Sequence, residues 1–226
     1  MLDVQSFERE LIFYHMFSTP FSLFYLFDLL GISVFAISGA LAAGRKGLDL
    51  LGIIIISIVT AVGGGTLRDI LLDRSPIFWI ADPGYLVVII ISSFIAIWYV
   101  RKNKPPFRAL LIADALGLAF FTIMGTQITD SYGFHPMIPV VMGTVTGVAG
   151  GVVRDILSAE VPLILRRDIY ASAAIGGSII YLLFSYLGFG TLFSYLIGIF
   201  TVLFLRSLAI VWGIRLPVFR LPDKPS

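Results

Sequence analysis

Two short motifs carry ionisable side chains into apolar surroundings. GGGTLRD at residues 63–69 and AGGVVRD at residues 149–155 each close a long apolar run with an Arg-Asp pair. Ionisable groups in hydrocarbon cost a few kcal/mol each, so they face protein or water and mark ion or solute paths. The glycines before each pair weaken a helix by about 1 kcal/mol apiece relative to Ala. A helix broken at membrane depth is tolerated only where protein or water satisfies the freed backbone groups. Carbonyls freed at Gly63, Gly64 and Gly65, and at Gly147, Gly150 and Gly151, are suited to coordinate a cation, with the hydroxyls of Thr60, Thr66, Thr144 and Thr146 as further oxygens. The half-helices beyond the breaks point positive ends inward and favour anions instead. On these residues alone the sign of the ion stays open, and so does the plainer reading that small residues merely let helices approach.

Two more acids lie in apolar runs, Asp28 and Asp114. Arg68 and Asp69, like Arg154 and Asp155, are neighbours in sequence and about 100° apart on a helix, so each is expected to seek a partner elsewhere. At 1.5 Å per residue, Asp28 and Arg68 fall at ~7 Å and ~10 Å from the middle of their spans on the same side, and Asp114 and Arg154 share the matching level on the other. The expectation is therefore two ion pairs, Asp28 with Arg68 and Asp114 with Arg154, acting as constrictions in series or as structural locks. Arg206 has no mate and is expected to snorkel or to meet an acid.

The two motifs belong to an internal duplication. Arg154 follows Arg68 by 86 residues, and the same offset carries Asp28 onto Asp114, Gly31 onto Gly117, Phe35 onto Phe121, Gly39 onto Gly125 and Thr60 onto Thr146. With 58% hydrophobic and 13% charged residues the chain is far from a soluble composition. Seven apolar runs near 21–43, 50–72, 84–101, 109–129, 137–157, 169–187 and 191–213 are long enough to cross ~30 Å of hydrocarbon. This predicts an all-α membrane protein: an interfacial lead-in at 1–20, a three-helix repeat at 21–106, a second at 107–189, a seventh helix at 190–214 and a tail at 215–226. Three spans per copy is an odd number, so the second copy enters from the opposite face and the repeats are inverted. Arg45, Lys46, Arg101, Lys102, Lys104, Arg108, Arg166, Arg167, Arg215, Arg220 and Lys224 all fall on one side, which predicts a cytoplasmic C-terminus and an external N-terminus.

Other classes are disfavoured. With no Cys and two His there is no thiol chemistry and no recognisable metal-ligand spacing. The net charge of +2 is too small and too dispersed for a nucleic-acid partner. An enzyme needs a nucleophile or acid beside a base, and the intramembrane set holds neither His nor Cys. No cofactor is expected.

The paired GGGxxRD and GGxxRD motifs, the three-plus-three-plus-one plan and the acid opening the first and fourth spans resemble the prokaryotic branch of the trimeric intracellular cation (TRIC) channel family, also labelled a "glycine transporter" domain family. The resemblance implies a homotrimer in a prokaryotic plasma membrane, with a pore in each protomer conducting monovalent cations, K⁺ over Na⁺. It implies kinked second and fifth helices lining that pore, with Gly63–Gly65, Arg68 and Asp69 matching one motif and Gly150, Gly151, Arg154 and Asp155 the other. Ala149 stands where the first copy has Gly63, which implies a milder second kink. The alternative is a secondary transporter of a small solute such as an amino acid, since inverted repeats with broken helices serve carriers equally.

Overall fold

The computed structural model describes residues 23–102, 107–165 and 169–213. The expected lead-in, the tail, and Lys104, Arg166 and Arg167 of the basic loops lie outside the described residues. Seven long helices follow in order: α1 Leu23–Arg45, α2 Leu50–Leu71, α3 Gly84–Lys102, α4 Phe107–Asp130, α5 Met137–Leu157, α6 Ala171–Tyr186 and α7 Thr191–Trp212. A one-turn helix, Phe78–Ala81, follows α2, and a 3₁₀ turn, Leu163–Leu165, follows α5. Six of the seven are long and apolar enough to cross a membrane; α6, at 16 residues, is shorter than the predicted 169–187. The chain is a multi-pass membrane protein.

Local chemistry explains the ends. Asp49 Oδ1 accepts from Gly52 N at 2.7 Å and caps α2, while Gly213, at φ +62°, supplies the left-handed residue that closes α7. Inside the spans, hydroxyls turn back on their own helix, as in Ser57 to Ile53 O, Ser93 to Ile89 O and Thr129 to Gly125 O, so these donors are satisfied without water.

α1 and α4, the first helices of the two copies, form the centre of the bundle. α1 packs on α2, α3 and α4; α4 packs on α5, α6 and α7; and α2 crosses α5. Related residues make reciprocal contacts. Phe35 stacks on its own mate Phe121 with centroids 5.1 Å apart, while Gly31 lies under the Phe121 ring and Gly117 under the Phe35 ring. Such i-to-j and j-to-i pairing is what a two-fold relation requires, here between halves of one chain. α7 breaks the symmetry by packing mainly on the second copy, where Gly198 is set against Ile123 and Tyr181, and it reaches the first copy through Tyr195, which stacks on Phe27 at 5.4 Å.

Candidate functional site

Every ionisable residue predicted to lie within a span points inward. Asp28 is 6% exposed, Arg68 1%, Arg154 0% and Arg206 1%, with Asp69, Asp114 and Asp155 also buried. They form two clusters, one at the end of each motif.

The ends of α2 and α5 are built alike. Leu72 N bonds Arg68 O and Arg74 N bonds Asp69 O, just as Ser158 N bonds Arg154 O and Glu160 N bonds Asp155 O. The non-glycine residues with positive φ are the mates Asp73 and Ala159, among the described residues. Each chain reversal brings a backbone N–H to the motif's carboxylate: Phe78 N to Asp69 Oδ2 and Leu163 N to Asp155 Oδ2, both at 2.9 Å. The free oxygen of each then takes the adjacent arginine. Arg68 Nε lies 2.8 Å and Nη2 2.7 Å from Asp69 Oδ1; Arg154 Nε and Nη2 both lie 2.8 Å from Asp155 Oδ1. The expectation that sequence neighbours 100° apart would not pair is thus overturned. An aspartate pinned by the following turn stays within reach of a guanidinium long enough to wrap around the helix.

The two cross-helix pairs have different outcomes. Arg154 Nη1 meets Asp114 Oδ1 at 2.8 Å, as expected, and also donates to Ser38 Oγ at 2.6 Å. Tyr170 donates to the same Asp114 oxygen at 3.2 Å. Arg206, from α7, joins this cluster: Nη2 is 3.9 Å from Asp114 Oδ2, Nη1 donates to Ile169 O at 3.0 Å, and the guanidinium lies 4.6 Å from the Tyr170 ring centre. The Asp28–Arg68 pair is not formed. Asp28 Oδ2 instead accepts from the Tyr85 hydroxyl at 2.5 Å, and the second cation near Asp69 is Arg74, at 3.8 Å.

The expected helix breaks are also absent. α2 and α5 run as unbroken α-helix through Gly63, Gly64, Gly65, Gly147, Gly150 and Gly151. The glycines are contact points. Gly64 lies against the carbonyl oxygen of Thr146, and Gly150 against that of Thr60, the related pair. A Cβ on Gly63 would stand 3.6 Å from Gly150 Cα, while Gly65 is covered by the Phe78 ring, Gly147 by Thr122 and Gly151 by the Tyr170 hydroxyl. Of the threonine hydroxyls, Thr60, Thr146 and Thr144 donate to Ile56 O, Met142 O and Val140 O, and Thr66 accepts from Trp79 Nε1 at 3.0 Å. Close approach of small residues therefore accounts for the glycines, and it brings α2 and α5 together between the two charged clusters.

Sequence reasoning missed Tyr85, Tyr170 and Ser38. Tyr85 and Tyr170 fall one residue off the 86-residue offset, so a search in strict register passes over them. Ser38 has no polar mate, because Met124 stands at its related position.

A family model described as "Glycine transporter" matches the chain twice, over residues 25–101 and 111–186. The inner membrane protein YadS (UPF0126) of Escherichia coli K12 is 42% identical over 204 residues, 89% of this chain and 98% of that protein. A UPF0126 membrane protein of Vibrio cholerae is 41% identical over 201 residues, 88% of this chain and 84% of its own length. Among solved structures, the trimeric intracellular cation channel orthologue from Rhodobacter sphaeroides superposes with a TM-score of 0.82 at 34% identity, covering 85% of this chain and 99% of that one. A structure described as explaining conductance through TRIC cation channels gives 0.79 at 36% identity, covering 89% and 99%. With a doubled family match, relatives above 40% identity along most of their length and a shared bundle, the chain belongs to the TRIC family.

Proposed function

We propose that this protein is a passive channel for monovalent cations, conducting K⁺ in preference to Na⁺ through a path inside each protomer of a homotrimer. One observation carries the reading: two buried Arg-Asp clusters stand at opposite ends of the α2–α5 crossing, where charges are expensive unless water or ions reach them. The names of the structural relatives, cation channels and in one case trimeric, support it, and nothing in those names points to an enzyme. For a path lined by α2 and α5, the seating of the Thr60 and Thr146 carbonyls on Gly150 and Gly64 is a closed constriction, and opening requires the two helices to part there. The basic loops favour a C-terminus on the cytoplasmic side of a bacterial inner membrane, the membrane in the name of the E. coli relative.

The test is recording in planar bilayers under a KCl gradient. Unitary steps reversing near the K⁺ equilibrium potential are expected; reversal near the Cl⁻ potential refutes the cation reading. The second reading, a carrier of a small amino acid, is favoured by the "Glycine transporter" description of the family model. It predicts coupled uptake into vesicles with no resolvable current steps.

A further inference from the structure

The two charged clusters are related by duplication, yet they are not balanced alike. Asp114 has one cation at 2.8 Å and a second at 3.9 Å. Its mate Asp28, also buried, has no cation within 4.0 Å among the described residues. Tyr85 holds Asp28 Oδ2, and Oδ1 has no partner. Two differences between the copies produce the imbalance. Ser38, which steadies Arg154 Nη1, corresponds to Met124, which offers only a weak thioether acceptor. Arg68 accordingly keeps Nε and Nη2 on Asp69 and leaves Nη1 unpartnered. The other difference is Arg206, which comes from α7 and has no counterpart beside the first copy.

Buried polar atoms in native proteins have partners, and buried charges are paired with an opposite charge or bind a cation. In the second cluster the atoms without a hydrogen bond are largely compensated by charge: Asp114 Oδ2 faces Arg206, and Arg154 Nη2 lies 2.8 Å from Asp155 Oδ1. In the first cluster, Arg68 and Arg74 attract the Asp28 carboxylate only from beyond 4.0 Å, and no cation among the described residues touches Oδ1. A carboxylate oxygen of this kind, beside a phenol oxygen, is a hard oxygen donor set suited to a dehydrating monovalent ion.

We propose that Asp28, steadied by Tyr85, is a station at which the permeating monovalent cation rests in the first repeat, whereas the Asp114 cluster, saturated by Arg154 and Arg206, is a fixed lock that holds none. The assignment rests on the channel reading and divides the labour between its two charged clusters. Arg68 Nη1, left free near the station, is satisfied by the water that accompanies the ion.

Thallium(I), a heavy stand-in for K⁺, tests this by anomalous diffraction from crystals of the unmodified trimer. An anomalous peak in contact with Asp28 Oδ1, with none at Asp114, is expected. Asp28→Asn should remove the peak and raise the K⁺ concentration for half-maximal conductance about tenfold, the loss of one charge-assisted contact. No peak at Asp28, an equal peak at Asp114, or a peak unchanged in Asp28→Asn overturns the proposal. The first measurement needs no variant, so a poorly folding Asp28→Asn does not shield it. Cation-selective currents without thallium at Asp28 overturn the station alone, while the absence of cation currents overturns the channel reading.

Discussion

Adjacent glycines in α2 should respond oppositely to the same substitution. A methyl group on Gly63 would lie 3.6 Å from Gly150 Cα, an ordinary contact, whereas on Gly64 it would lie far inside contact distance of the Thr146 carbonyl oxygen. That oxygen belongs to the backbone of an unbroken helix and cannot swing away. Gly63→Ala should therefore show only the helix-propensity gain, up to about 1 kcal/mol. Gly64→Ala gains the same amount and then meets an overpacking penalty of roughly 1–3 kcal/mol, so it should fall below wild type, with the two variants separated by that penalty. Because the contacts are reciprocal, Gly150→Ala, which would strike the Thr60 carbonyl, should match Gly64→Ala. Denaturant titration of the protein in mixed micelles, followed by gel filtration of the folded fraction, measures this ordering. A Gly64→Ala variant as stable as wild type, or a Gly63→Ala variant equally damaged, would refute the close crossing. The same wedge should also raise the open probability in bilayers if the crossing is the constriction.

Three further outcomes follow from the clusters. Arg154→Gln strips Asp114 and Asp155 of their shared cation and should cost about 3–5 kcal/mol, whereas Arg68→Gln should cost less, because Asp69 keeps Phe78 N and Arg74; equal losses of folded yield would contradict the inequivalence. Ser38→Ala should cost about 1.5–3 kcal/mol in the same titration, the range for a hydrogen bond to a charged group, and an unchanged midpoint would show that Ser38 is idle. The exposed Lys46–Glu160 pair, 2.6 Å apart, should contribute no more than about 1 kcal/mol, so Glu160→Gln should shift the midpoint little, and less still in high salt.

Apolar run lengths and the repeated spacing suffice to specify the helices and their pairing into copies. Apolar runs the width of a membrane leave the backbone one way to satisfy itself, and an offset kept through Asp28, Phe35, Thr60 and Arg68 leaves one way to superpose the halves. The sequence also dictates that the charged residues turn inward, because lipid is too costly a neighbour for them.

What each group does there depends on how the helices pack against one another. Propensity marks Gly64 and Gly150 as weak points, but a helix wall brought close enough turns weak points into seats for Thr146 and Thr60 carbonyls, and packing outweighs the intrinsic cost. Helical angles keep Arg68 and Asp69 apart, but a backbone N–H nine residues on pins the carboxylate where the guanidinium reaches it. The difference between Asp28 and Asp114 depends on Ser38 and Arg206, residues 116 and 52 positions from Arg154 in a chain whose motifs look equivalent. Contacts across such separations are set by which helix lies against which, and no local pattern encodes them.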